Sequence, residues 1–268
     1  MKLVGKFLCC LFFIFLTMGL QAAGEKEILT QVSTLDALMS GMYDGYTTLK
    51  EMLKYGDTGL GTFQGLDGEM LVMDGKVYRI AYDGTISNPV LSTLTPYAAL
   101  TFFAADIRKP LTAGLTLAAF PAYTDALLPT LNLFYAIRIE GTFRKIRTRS
   151  VPLQTQKPYL PLAEVVKNQS TFEFENIEGI IIGLRCPSYV KGINSPGYHL
   201  HFITKDKKGG GHVLDFVIEQ AEMQIDQTPE FKMILPPDPD FYAYDFAQNT
   251  AASLQQVMQQ PPAQGEGK

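Results

Sequence analysis

His199, His201 and His212 are all the histidines of the 268-residue chain, and they fall within fourteen consecutive positions. The segment Tyr198-His199-Leu200-His201-Phe202-Ile203 alternates like a β-strand, so His199 and His201 share one face. Residues 204–211, with Asp206-Lys207-Lys208 and three glycines, make a loop, and His212 opens the returning strand. With the hairpin centre between Asp206 and Lys207, His201 faces His212 across the ladder at ~5 Å, and His199 lies one step further along that face. Three converging imidazoles form a facial metal triad. Zinc accepts three histidines and keeps an open position in catalytic sites, whereas structural sites usually close with four ligands. Iron, manganese and cobalt also take imidazole, but an all-histidine, non-redox set suits zinc. The competing reading is three unrelated or surface histidines. Asp215 points to the opposite face and is a poor ligand.

Two other polar features could serve such a centre. Glu69 opens the apolar run Glu69-Met70-Leu71-Val72-Met73 just after a glycine turn. It reads either as a strand-end carboxylate in water or as a general acid or base beside the metal. The basic run Arg144, Lys145, Arg147, Arg149 reads as a solvated face. Alternatively Arg147 and Arg149, on one side of a strand, could grip a substrate carboxylate. Cys186 ends an apolar run and reads as buried and inert.

The elements that must position these residues begin after a leader. Lys2 and Lys6 precede an uncharged apolar run over residues 7–20, and Gln21-Ala22-Ala23-Gly24 follows. Residues 1–24 have the three-part pattern of a secretory signal peptide, and the run is short of the roughly 20 residues of a stable span. Export to the periplasm or the medium is expected. The chain carries 23 basic and 27 acidic residues, net −4. Without Lys2 and Lys6 the balance is 21 against 27, net −6. No basic footprint for nucleic acid exists. Cys9 and Cys10 leave with the leader, so Cys186 has no partner for an intramolecular disulfide.

Strand-like runs predominate in the rest. Asp74-Gly75 between residues 69–73 and 76–82 is a two-residue hairpin signal. Helical spacing is confined to residues 35–44, 47–55, 121–130 and 162–168. The expected fold is α+β and β-rich, with mixed or antiparallel sheets and few helices, in two parts. Residues 25–150 form an N-terminal domain and 151–258 a C-terminal domain bearing the histidine hairpin. Residues 151–161 have the composition of a linker, and residues 259–268 that of a mobile polar tail.

Taken together, these segments resemble the α-acetolactate decarboxylase family. The resemblance runs through Gly59-Leu60-Gly61-Thr62-Phe63, Leu66-Asp67-Gly68-Glu69, Phe134-Tyr135-Ala136-Ile137-Arg138 and Arg147-Thr148-Arg149-Ser150-Val151-Pro152. It continues in Lys157-Pro158-Tyr159, Gly192-Ile193-Asn194, Pro196-Gly197-Tyr198-His199-Leu200-His201-Phe202 and Gly210-Gly211-His212-Val213-Leu214-Asp215. It implies a homodimeric zinc enzyme converting 2-acetolactate to acetoin and carbon dioxide by way of an enediolate. His199, His201 and His212 would hold Zn2+, Glu69 and Arg149 would lie beside it, and Thr62 would line the substrate pocket. The family also brings a glutamate from its C-terminal tail. Residues 254–260 contain none, leaving Glu266 to stand in. An exported, non-catalytic metal-binding protein and a three-histidine zinc lyase of the carbonic anhydrase type are the alternatives. The latter places its third ligand much further along and is rich in tryptophan, which this chain lacks.

Overall fold

A computed structural model of the chain describes residues 27–247 together with Leu254, Val257 and Met258. The expected leader and the polar tail lie outside the described residues. In chain order the strands are β1 (Ile28–Val32), β2 (Thr47–Thr48), β3 (Thr58–Thr62), β4 (Glu69–Met73), β5 (Lys76–Ile80), β6 (Ile86–Ser87) and β7 (Leu94–Thr95). They continue with β8 (Ala98–Thr101), β9 (Ile107–Leu111), β10 (Phe134–Ser150), β11 (Ser170–Cys186), β12 (Gly197–Thr204), β13 (Gly210–Thr228) and β14 (Glu230–Ile234). The helices are short: α1 (Leu35–Met39), α2 (Leu49–Met52), α3 (Phe120–Asp125), α4 (Leu162–Val165) and α5 (Pro239–Ala243).

Two sheets carry the fold. The first has the order β14-β1-β8-β3-β4-β5-β6 and is antiparallel except for the parallel pair of β1 and β14. The second runs β10-β11-β12-β13-β9, and β13 also pairs with β10, so the sheet closes on itself. Phe143, Phe202 and Phe216 pack edge to face in its core. The chemistry of β4 and β5 matches the expected hairpin. Met73 pairs with Lys76, and Asp74 and Gly75 both have positive φ (51° and 73°), as a two-residue turn with the right twist requires.

Some expected elements change length. The helix expected over residues 35–44 stops at Met39, because Gly41 takes φ +92°. In α2 the helix begins only where Thr48 and Glu51 form a capping box. The runs expected as separate strands at 171–174 and 178–185 are one strand, β11, held straight through by β10. Residues 151–161 do not behave as a free linker: Val151 is buried and Gln154 donates its N–H to Gly65. The two sheets do not follow the two sequence halves, since β9 and β10 precede residue 151 yet belong to the second sheet, and β14 edges the first.

One buried acid has a consequence for stability. Asp226 on β13 is fully buried, and burial, with Asp106, Glu27 and Asp57 adding to it, pushes its carboxyl up to about 7. The folded chain then holds a proton that the unfolded chain releases near pH 4. Stability therefore falls as pH rises from about 4 to 7 and stays reduced above. Asp226→Asn removes that loss. At ~1.4 kcal/mol per pKa unit the ceiling is about 4 kcal/mol, and a gain of about half that is expected, or roughly 4–8 °C in Tm at pH 8. Near pH 4 the gain vanishes. Thermal melts of both proteins at the two pH values check this, and an equal shift at both would contradict it.

Candidate metal and catalytic site

The histidine hairpin has the register expected from its sequence. His201 pairs with His212, Phe202 with Gly211 and Ile203 with Gly210. Alternation along β12 sends His199 and His201 to one side, while Leu200 and Phe202 pack into the core of the closed sheet. Gly211 lets the third ligand close in: it takes φ +134°, and a Cβ there would stand 2.3 Å from the carbonyl oxygen of Arg149. The ring centroids lie 5.0, 5.0 and 5.4 Å apart. One ring nitrogen from each lies within 4.8 Å of the others.

Burial sets the charge state of these rings. It pushes all three imidazoles below their ordinary range, His201 to about 3, so they are neutral at physiological pH. The Nδ1 of His201 is 2.7 Å from the carbonyl oxygen of Met70 on β4. A proton held there leaves Nε2 as a lone pair facing the cavity, which is the arrangement a metal ligand needs. His199 Nδ1, His201 Nε2 and His212 Nδ1 are buried with no hydrogen-bond partner. Buried polar atoms are seldom left unpaired. Three neutral imidazoles with orphaned nitrogens within reach of one another fit a divalent ion with nitrogen preference, and zinc suits that donor set.

The first sheet supplies the other chemistry. Gly68, at φ +82° where a Cβ would meet Ile80 O at 2.3 Å, turns the chain into β4 and buries its first residue, Glu69. Thr62 pairs with Glu69 across β3 and β4, and its hydroxyl donates to Gly68 O at 2.7 Å, fastening that turn. Glu69 Oε2 lies 3.4 Å from His201 Nε2. Its Oε1 accepts from Arg149 Nη1 at 2.8 Å. Arg149 pairs in register with His212, and paired residues share a face, so the guanidinium rises beside the third ligand. Burial pushes the Glu69 carboxyl above its ordinary range, with Arg149 pulling against it.

The two candidate arginines separate. Both lie on one side of β10, but Arg149 pairs with His212 and is buried in the cavity, whereas Arg147 pairs with the exposed Asp215 and is half-buried outside it. Asp215 is exposed and does not line the cavity. Cys186 is buried, and burial pushes its thiol up to about 12, which leaves it unreactive.

The cavity also contains residues that the sequence did not single out. Leu35, Leu38, Leu66, Val151 and Leu162 form an apolar wall, and Gly61, Tyr97, Val257 and Met258 also line the cavity. Leu35 and Leu38 carried only the three-residue spacing of a helix face, and nothing local marked Tyr97. In the tail, the Val257 carbonyl oxygen lies 3.5 Å from Arg149 Nη2. Glu266 lies outside the described residues, and among these Glu69 is the one carboxylate that lines the cavity. No helix among the described residues is long and apolar enough to cross a membrane.

Comparison with known proteins agrees with this geometry. The sequence profile of the alpha-acetolactate decarboxylase family matches residues 29–248. The alpha-acetolactate decarboxylase of Methanosarcina mazei is 47% identical over 233 residues, covering 87% of this chain and 80% of that protein. The crystal structure of the Bacillus subtilis alpha-acetolactate decarboxylase superimposes with a TM-score of 0.83 at 41% identity, covering 86% of this chain and 98% of that one. A Staphylococcus aureus protein of unknown function, described as similar to alpha-acetolactate decarboxylase, gives 0.82 at 30% identity, covering 86% and 99%. With its β-rich two-sheet fold and its profile match over most of its length, the chain belongs to the alpha-acetolactate decarboxylase family.

Proposed function

We propose that this protein decarboxylates 2-acetolactate to acetoin and carbon dioxide, with zinc held by His199, His201 and His212. The observation that carries this reading is the convergence of three neutral imidazoles, each with one unpartnered ring nitrogen, with the buried Glu69–Arg149 pair in a single cavity. A purely structural metal site has no use for that pair.

The chemistry needs a home for an electron pair. Loss of carbon dioxide breaks the bond from C2 to the carboxylate, and the pair left behind moves toward the neighbouring ketone oxygen. A metal ion held by the triad would supply Lewis acidity toward the substrate's hydroxyl and ketone oxygens. Arg149 contributes a fixed positive charge in a site from which the leucine wall excludes water, where such charge acts far more strongly than in solution. Glu69, whose burial favours the protonated form, delivers a proton to C2 and so completes acetoin. Because Glu69 is fixed by Arg149 on one side of the cavity, that proton arrives on one face of C2. The acetoin formed is therefore expected to be a single enantiomer.

Incubating the purified protein with acetolactate, with and without a chelator, tests the reading. Acetoin that appears only without chelator, and returns on adding zinc, is the expected result. Bound metal with no acetoin would instead favour a non-catalytic metal-binding protein. Residues 1–24 support export, and the family resemblance supports a homodimer. An N-terminus near residue 25 in the exported fraction and a dimer mass by light scattering would bear these out.

A further inference from the structure

The orphaned polar atoms of the site extend beyond the metal ligands. Tyr97 lines the same cavity, is 1% exposed, and its hydroxyl is buried without a hydrogen-bond partner. Other tyrosines of this fold behave as buried phenols ordinarily do. Tyr43 donates to Leu160 O at 2.8 Å, Tyr135 to Thr130 O at 2.7 Å and Tyr198 to Asp125 Oδ1 at 2.6 Å. The backbone of Tyr97 is meanwhile firmly held, its carbonyl accepting from Thr62 N and from the Thr95 hydroxyl, both at 3.0 Å. Its ring packs with Leu35, Leu38, Leu66, Val151 and Leu162. Tyr97 thus stands in the apolar wall of the triad's cavity and holds one buried donor that nothing among the described residues accepts. Leaving that donor buried and unpaired is costly unless something in the cavity accepts it.

We infer that the Tyr97 hydroxyl donates a hydrogen bond to the carboxylate of the bound substrate. This rests on the decarboxylase reading, and the chemistry of the substrate chooses the acceptor. A metal held by His199, His201 and His212 would engage the hydroxyl and ketone oxygens, which would leave the carboxylate to the rest of the cavity. The bond to it breaks most readily when it stands perpendicular to the ketone, so that the departing pair overlaps with the carbonyl. One donor on the leucine wall fixes that orientation and leaves the rest of the carboxylate poorly solvated, which favours its departure as neutral carbon dioxide. Burial pushes the phenol well above its ordinary range, so Tyr97 stays a donor at every working pH.

Tyr97→Phe removes the oxygen and keeps the ring. The expected result is a KM for acetolactate raised about tenfold together with a kcat lowered about tenfold, since the donor both binds and orients the carboxylate. Product inhibition by acetoin, which has no carboxylate, should stay within twofold. A third readout is independent of activity: the unliganded variant should melt no lower than the parent, since it loses an unpaired buried hydroxyl. A KM within twofold of the parent overturns the proposal. So does an equal loss of acetolactate and acetoin affinity, which would place the hydroxyl on an oxygen that product retains. A Tm lowered by several degrees would also overturn it, by showing that the hydroxyl has a structural partner. The unsubstituted protein, assayed alongside, separates these outcomes from failure of the decarboxylase reading, in which no acetoin forms at all.

Discussion

Replacing Glu69 with Gln is expected to lower turnover of acetolactate about a thousandfold while the protein still binds metal. The geometry makes this a clean substitution. The side-chain oxygen that accepts from Arg149 at 2.8 Å can be kept by the amide, so shape and position are preserved, while the transferable proton is lost. General acid–base catalysis contributes roughly a hundred- to ten-thousandfold, and among the described residues no second carboxylate lines the cavity to take over. The substitution has a structural side effect. Arg149, 4% exposed, keeps an acceptor beside it but loses whatever negative charge the carboxyl carries, so the cost of breaking a buried ion pair from one side, about 3–5 kcal/mol, is the ceiling on the loss of stability. Circular dichroism and metal analysis of the variant are therefore needed beside the kinetics. Glu69→Asp gives the complementary control, since it keeps the charge for Arg149 but withdraws the carboxyl by one methylene. A folded, metal-loaded Glu69→Gln enzyme within tenfold of the parent would remove Glu69 from the reaction.

The parts of the site that can be read from sequence are those fixed by local pattern. Alternation along Tyr198-His199-Leu200-His201 and the glycine-rich loop after it settle the strand, the face and the register, because a hairpin carries its own geometry. Asp74-Gly75 is legible for the same reason. Glu69 is legible only as a question. A carboxylate opening an apolar strand can face water or a site, and the answer depends on the second sheet packing over it, brought there by His201 and the Met70 carbonyl. Arg147 and Arg149 cannot be separated from sequence, because they share one side of β10 and differ only in what meets them there: His212 and Glu69 at Arg149, the exposed Asp215 at Arg147. The wall of Leu35, Leu38, Leu66 and Leu162 is invisible for a different reason. Each is an ordinary apolar residue of its own segment, and only tertiary packing gathers them over the triad. The lengths of the strands follow the same logic: Glu175-Asn176-Ile177 reads as a gap in sequence, and although Asn176 takes a positive φ, β10 holds one register on both sides of it, Phe143 with Ile177 and Lys145 with Glu175.

The site thus sits where two sheets meet, and each supplies half of it. The closed sheet brings the three imidazoles and Arg149; the open sheet brings Glu69, Thr62 and the carbonyl that orients His201. Without a cation, this interface is under electrostatic tension. Three buried imidazole nitrogens lie close together, and none has a hydrogen-bond partner among the described residues. The strongest dependence of the fold on its ligand should therefore lie here.

His212→Ala tests that dependence directly. The variant is expected to lose decarboxylase activity altogether and, independently of activity, to lose its thermal response to zinc. In the parent stripped of metal, restoring zinc at a thousandfold above its dissociation constant should stabilise the fold by about 4 kcal/mol, or roughly 8–16 °C for a domain of this size. Two imidazoles left on β12 bind too weakly to reproduce that shift, so the apo and zinc-treated variants should melt within a few degrees of each other. His212 is the informative ligand to remove. His201 is tied to Met70 O, so its loss would also cut the hydrogen bond between the sheets, whereas the His212 Nδ1 makes no hydrogen bond that the substitution would break. The apo variant is accordingly expected to melt close to the apo parent, since the cavity left by the ring is offset by removal of a buried unpaired nitrogen. A variant that still gains 8 °C or more with zinc would show that the ion is held elsewhere. One that fails to fold without metal would show that His212 supports the structure by packing rather than by ligation.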